Sequence, residues 1–499
     1  MNAGKTQHLL IRAIATAALL TALPASADEP PKPAEAPAAE AAKAEPQVEL
    51  TAEDLAEDNP IERVVVIRAG KVITNNGDDV ENGIVVIKDG VVSAVGRLVE
   101  YPLNAKVIDA RDQVVMPGMI HVVSTYYGED TPRIRYNRNG NNANRTVKDD
   151  LASFDHDFSP LLKSGFTAQA LLPVGGGIIG KSTLIRTDGP ADKREVDTKR
   201  QYVYVSNDKS ALRDALKGAK KEIEKREEAK KKWEEQQKKM KEEQEKKARE
   251  QKEKEEKEKK GDGKDDKKAP AEAFSLDTPP PTPPPNPQPA EAPKKDEPAE
   301  FQPPKIPPPL EPFVDLIEKK EGLFALIELD RASDLLHMND AMRGFEIAHE
   351  FLLENDPQSD FYYVQDKLIE SKPKLVLWPR HSAIPSSTEL LDLAGDLARG
   401  GCELSFMPLA DNEREFERFL PRVAELVREG LSRETALKAM TLNPAQLLGV
   451  DEQFGSIQEG RQGDLIVLDG DPLDGLSRVQ KVLIAGEVVF DRARQEDDE

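Results

Sequence analysis

The sequence predicts an α/β fold built on a parallel sheet or barrel, and three observations carry that expectation. Short apolar, strand-like runs alternate with helical stretches through the centre and second half of the chain. Both ends are rich in short strands punctuated by turn dipeptides. A charged and then proline-rich excursion divides the 499 residues into two blocks of ordinary composition. Alternating β and α segments lay down parallel strands, because each parallel crossover is long enough to need its own covering helix.

The chain opens with Lys5 and Arg12, an apolar run from Ala13 to Leu23, and Pro24-Ala25-Ser26-Ala27. A basic start, a short apolar stretch and a small-residue ending describe a secretory signal peptide over residues 1–27, hence a secreted or periplasmic protein. A membrane span needs about 20 apolar residues, so no transmembrane segment is expected after cleavage. Residues 28–59 are largely Ala, Pro and Glu, and a stretch with so little apolar surface reads as a disordered tether.

Residues 60–116 carry the first strands, at Val64–Arg68, Lys71–Thr74, Gly83–Lys88, Val91–Val95 and Ala105–Asp109. Asn76-Gly77 and Asp89-Gly90 mark tight hairpins between them. Residues 117–212 begin the alternating region, with a strand at Ala168–Leu172. From 213 to 310 the composition changes. Between 221 and 260, 31 of 40 residues are charged, 17 basic and 14 acidic. Glu and Lys three or four apart support an isolated helix, and three larger apolar residues are too few for a coiled-coil seam. This reads as a solvated, coiled-coil-like charged helix, followed by a polyproline spacer holding 17 prolines between Pro270 and Pro312. Residues 311–452 resume the alternation, with strands at Phe324–Leu329, Lys374–Trp378 and Glu403–Phe406. Helices are expected at Ala332–Leu353, Ser387–Ala398 and Asp411–Arg428. Residues 453–499 return to strands, at Asp464–Leu468, Val479–Ala485 and, after Gly486-Glu487, Val488–Phe490. Neither globular block looks self-sufficient, so one unit interrupted by an excursion is the simplest arrangement.

Charge narrows the function. With 70 Lys+Arg against 92 Asp+Glu, the net charge is −22, which argues against a nucleic-acid partner. A single cysteine, Cys402, excludes an intrachain disulfide and a Cys-based zinc site; without an evident base beside it, it reads as a small buried residue.

The opening VVVIRAGKVITNNGDDVENGIVVIKDGVVSAVG, the segment VIDARDQVVMPGMI and the C-terminal GLSRETALKAMTLNPAQLLGVDEQFGSIQEGRQGDLIVLDGDPL together resemble the amidohydrolase superfamily, in its imidazolonepropionase-like branch. The resemblance covers both globular blocks and excludes the insert. It implies a TIM-type (β/α) barrel plus a composite β-sandwich from both chain ends. In that family one or two divalent metal ions, typically zinc, polarise a carbonyl and activate water at the barrel mouth. Their ligands are a His-x-His pair after the first strand, a Lys or Glu, further His, and an Asp after the last strand.

The resemblance then fails at the ligands. The family runs Pro-Gly-Leu-Ile-Asp-x-His-x-His where this chain has Pro117-Gly118-Met119-Ile120-His121-Val122-Val123-Ser124-Thr125, so Val123 and Thr125 stand at the two imidazole positions. Neither is a serviceable ligand for such an ion. His121 stands where the family has Asp and reads as a hydrogen-bonding residue. In FALIELDRASD, Glu328 stands where the family has His, and with Asp330 it reads as an ion pair with Arg331 or Arg380, or as an acid–base group. The last-strand Asp is expected near Pro408–Leu409, and the nearest carboxylate is Asp411. His156, His337 and His349 fall in helical or helix-like stretches, leaving His121, Glu328, His381 and Asp411 as pocket candidates. No metal site and no cofactor are expected. Gly175 to Ser182 satisfies the G-x-x-x-x-G-K-[ST] pattern, but a phosphate loop needs a helix starting at Lys181, and STLIRT reads as a strand.

Two classes of function follow. One is an exported, non-catalytic amidohydrolase-like protein acting by binding, or as a partner to an intact relative or envelope component. The other is a hydrolase of non-peptide C–N bonds with a reduced site.

Overall fold

The computed structural model describes residues 63–494 apart from 130, 137–139, 152–155, 191–192, 260–299, 385–386 and 388. The expected signal peptide, the tether and most of the proline spacer lie outside the described residues. Strands from both chain ends join one sheet. The first end supplies β1 (Val64–Val72), β2 (Val80–Glu81), β3 (Ile84–Lys88), β4 (Val91–Gly96) and β5 (Lys106–Pro117); the second supplies β17 (Leu465–Leu468), β18 (Val479–Ile484) and β19 (Glu487–Asp491). Their order is β19-β18-β17-β5-β1-β3-β4, with β2 beside β1. The expected β-sandwich is therefore a single hydrogen-bonded sheet, centred on β5, which pairs parallel to β1 and antiparallel to β17. Asp89 and Gly90 both take positive φ, 50° and 84°, the tight turn that β3 and β4 require. Asn76-Gly77 instead sits in a longer connection between β1 and β2.

The alternating region supplies β6 (Met119–Ser124), β7 (Phe166–Leu171), β8 (Ile178–Lys181), β9 (Thr183–Arg186), β10 (Gln201–Val205), β11 (Leu323–Leu329), β12 (His349–Leu353), β13 (Lys374–Leu377), the short β14 (Ser382–Ala383) and β15 (Leu390–Leu391), and β16 (Glu403–Phe406). β6 and β7 are parallel, as are β10, β11, β12, β13 and β16 in sequence. The segment 178–186 links the two sets, β9 running antiparallel to β7 and β8 antiparallel to β10. The Gly-rich pattern thus leads into a sheet strand, with Lys181 inside β8 and no helix after it. Side chains two apart on most strands, Ile120 and Val122, Ala168 and Ala170, Tyr202 and Tyr204, Phe324 and Leu326, meet Leu352 and Val376 in one buried cluster, the period-two face of a shared interior. The Tyr202 hydroxyl donates to the Val122 carbonyl at 2.6 Å, tying β10 to β6. Strands buried on both faces explain the nearly continuous apolar runs.

Helices cover the other face: α1 (Lys148–Leu151), α2 (Ser159–Lys163), α3 (Lys209–Lys259), α4 (Glu311–Ile317), α5 (Ala332–Ala341), α6 (Gln365–Ser371), α7 (Leu393–Arg399), α8 (Glu413–Glu417), α9 (Phe419–Arg428) and α10 (Arg433–Met440), while α11 (Leu442–Leu448) packs Ala445, Leu447 and Leu448 into the interior cluster. The helix expected over 332–353 ends at Ala341. Gly344, at φ 85°, reverses the chain there, and His349 opens a strand rather than sitting in a helix. The helix expected over 411–428 breaks at Arg418, and the one expected from Ser387 begins only after Asp392, whose carboxylate caps it by accepting from Gly395 N–H.

α3 corrects the boundary of the insert. It starts at Lys209, and Leu212, Ala215, Leu216 and Ala219 are buried, so residue 213 falls inside a packed helix. Beyond Ile223 the helix is mostly exposed, with the Trp233 ring 5.7 Å from Phe301 on the returning chain. Deleting 215–308 would therefore open the core, since losing one buried Leu costs about 2–5 kcal/mol. Replacing 238–299 by a short Gly/Ser linker should instead leave the thermal midpoint within about 3 °C of the parent, because loop closure costs little. A circular-dichroism melt checks this, and a drop beyond 10 °C would show that the excursion packs on the sheet.

Candidate functional site

Three groups of polar side chains sit at the C-terminal ends of the parallel strands. The first joins the start and the end of the alternating region. The Asp411 carboxylate, between β16 and α8, takes the His121 imidazole Nε2 at 2.8 Å on one oxygen. On the other it accepts the Thr125 backbone N–H at 2.6 Å and hydroxyl at 2.7 Å. Burial pushes the Asp411 carboxyl up, but the His121 and Thr125 bonds outweigh it and hold the group below its ordinary range. His121 is wholly buried between the rings of Phe166 and Phe416. Val123 packs in the apolar interior. Beside them the Ser124 hydroxyl donates to Gln169 Oε1 at 2.6 Å.

The second group was only half legible. Oxygens of Glu328, Asp330 and Glu354 lie within 4.8 Å of one another. Burial first, then the charge and hydrogen bond of Glu354, push the Glu328 carboxyl up to about 8, while Tyr204 donates to it. Burial also raises Glu354. Asp330 accepts from Asn207 Nδ2 at 3.0 Å. Among the described residues neither Arg331 nor Arg380 pairs with Glu328 or Asp330, so in place of the expected ion pair stand two neighbouring carboxyl groups, both raised by burial. Glu354 was missed because its strand, β12, read as the end of a helix. Tyr204 was missed because β10 was not recognised before the charged stretch.

His381 follows β13 in a third group with Trp378 and Arg380, and among the described residues no hydrogen bond joins it to His121, Glu328 or Asp411. The four pocket candidates thus divide: His121 with Asp411, Glu328 with Glu354, His381 apart. Burial raises the Cys402 thiol, which keeps it a poor nucleophile.

Chemically, the first group is a carboxylate turned inward onto its own chain, with His121 Nδ1 left buried and without a hydrogen-bond partner among the described residues. The resemblance implies a divalent ion held by that carboxylate together with paired imidazoles, and here Val123 offers no lone pair while Thr125 spends its hydroxyl on Asp411. The residues at this place do not fit the metal.

Residues 418–490 match the family model described as "Amidohydrolase family". The imidazolonepropionase of Thermoplasma volcanium is 40% identical over 68 residues, 12% of this chain and 17% of that protein. Human N-acetylglucosamine-6-phosphate deacetylase is 46% identical over 68 residues, 13% of this chain and 15% of that one. The chain spans less than a fifth of the length of either curated relative it matches. The crystal structure of an amidohydrolase from Thermotoga maritima superposes with a TM-score of 0.59 at 18% identity, over 86% of this chain and all of that one, a likeness of fold.

Proposed function

We propose that this chain is a non-catalytic member of the amidohydrolase superfamily: an exported protein whose strands β6 to β16 close as a TIM-type barrel, which has lost the metal centre and acts by binding; the match of residues 418–490 to the family model, the local likeness to imidazolonepropionase and the likeness of fold support the family. The observation that supports the non-catalytic reading is the occupancy of Asp411 by His121 Nε2 and by both donors of Thr125. Three donors already occupy the carboxylate that a metal would need, and Val123, where the resemblance expects a ligand, is part of the apolar core. The barrel is retained for what it presents at its rim, where function resides independently of fold. The exposed part of α3 gives it reach toward an intact relative or an envelope component.

A second reading rests on a separate observation. The Glu328 and Glu354 carboxyl groups adjoin at a strand end, with Glu328 pushed up to about 8 by burial and by Glu354, which is the equipment of a metal-free acid–base hydrolase of C–N bonds. In that reading Glu328 donates the proton to a leaving nitrogen while Glu354 receives one from water, and His121 and Asp411 only shape the wall.

Elemental analysis of the purified full chain, without added metal, tests the first reading. Zinc, iron and manganese should each stay below about 0.1 per chain after gel filtration, and Val123→His with Thr125→His together should not raise that figure, because the outer hydrogen bonds that orient ligands are absent too. One tightly retained ion per chain would overturn it. Hydrolysis of amide or imide substrates that is lost in Glu328→Gln would select the second reading.

A further inference from the structure

We propose that the loop following β13 is a binding site for a ligand carrying an oxyanion group, carboxylate or phosphate, received by Trp378, Arg380 and His381 together with Arg422 from α9. Buried polar atoms are nearly always hydrogen-bonded. Ten buried side-chain atoms among the described residues have no such partner, and four of them are Trp378 Nε1, Arg380 Nε, His381 Nε2 and Arg422 Nε. Three of those four belong to residues within one four-residue stretch, at the strand edge where parallel α/β folds bind ligands.

The charges point the same way. Burial lowers the Arg380 guanidinium from its ordinary range, and the neighbouring Arg422 lowers it further; Asp356 and Glu415 act against this without reversing it. Glu415 is engaged by Arg422 at 2.9 Å. Among the described residues Arg380 makes no ion pair. Two guanidinium groups thus lie near one another, Arg422 paired with Glu415 and Arg380 without an ion pair, and a planar fork matches a carboxylate or a phosphate.

The loop is fixed before any ligand arrives. Asn355 Nδ2 donates to the carbonyls of Trp378 and Arg380 at 3.1 and 3.4 Å, and Asn355 Oδ1 accepts the Trp378 backbone N–H at 2.9 Å. The Ser359 and Ser382 hydroxyls bond at 2.8 Å beside it. Such preorganisation lowers the ordering cost of binding. The site goes beyond the proposed function, since it would serve a binding protein and a hydrolase alike.

Isothermal titration of the purified full chain with inorganic phosphate and, separately, with succinate tests the site, and the two arms distinguish phosphate from carboxylate. Saturable binding of at least one anion is expected, weakened tenfold or more by Arg380→Met. Arg380→Lys, which keeps the charge without the fork, should fall between the two. Arg478→Met, on the exposed cleft beside β18, should bind as the parent does. Without ligand, Arg380→Met should melt no lower than the parent, because the guanidinium has no partner there to lose. Absence of saturable binding by both anions, undiminished binding in Arg380→Met, or a lowered melting temperature of that variant without ligand would overturn the proposal.

Discussion

Glu328→Gln should be more stable than the parent by on the order of 3 kcal/mol at pH 8.5 and indistinguishable from it near pH 4.5. The native carboxyl titrates at about 8 because of its burial and of Glu354, whereas in the unfolded chain it titrates at about 4.3. Between those values the folded state binds the extra proton, so stability falls as pH rises through that window and levels off above about 8. Gln carries no proton to lose, and its amide can donate to Glu354 as the protonated Glu328 does. Urea titrations at half-unit pH intervals check this. Parallel curves for parent and variant from pH 5 to 8 would show that Glu328 is ionised in the folded chain.

Removing a carboxylate bonded on both oxygens has an effect of similar size and opposite sign. Asp411→Ala should cost about 3–5 kcal/mol, since it strands the buried His121 Nε2 and both Thr125 donors without their acceptor. His121→Ala should cost slightly less, and the double variant should cost well under the sum, because both remove the same bond. The cycle, read by denaturant unfolding at pH 7, gives the coupling. Additive losses would mean that the pair does not act as a unit. The Asp411 contribution is present above the unfolded carboxyl value and disappears as pH falls through the lower folded value.

Much of the fold was legible because its elements announce themselves locally. β16, at Glu403–Phe406, sits where its apolar run predicts it, and Asp89-Gly90 forms the expected turn. Periodicity misled where an apolar strand follows a helix after a few polar residues, as at His349–Leu353, and where a helix leaving the core changes character without a break, as at Lys209. The site was legible in part: Val123 and Thr125 stand where the resemblance expects ligands, and the structure places Val123 in the apolar interior and Thr125 on Asp411. Its new contacts were not, because Asp411 meets Thr125 across 286 residues, and the Glu328–Glu354 pair depends on two strands being neighbours. Pairings of that kind are properties of topology, which single residues do not carry.

The position of β5 has a consequence in time. Its parallel partner β1 is synthesised before it, but its antiparallel partner β17 comes some 350 residues later, after the whole alternating region and the charged excursion. Until then one edge of β5 remains a row of open hydrogen-bonding groups, and the hydrophobic side chains of β1 and β3 lack part of their cover. Contacts so distant along the chain form slowly, since the entropy of closure is lost before the pairing returns anything. The sheet at the two ends therefore works as a late clasp: the amino-terminal strands wait, incompletely paired, for nearly the entire polypeptide to exist.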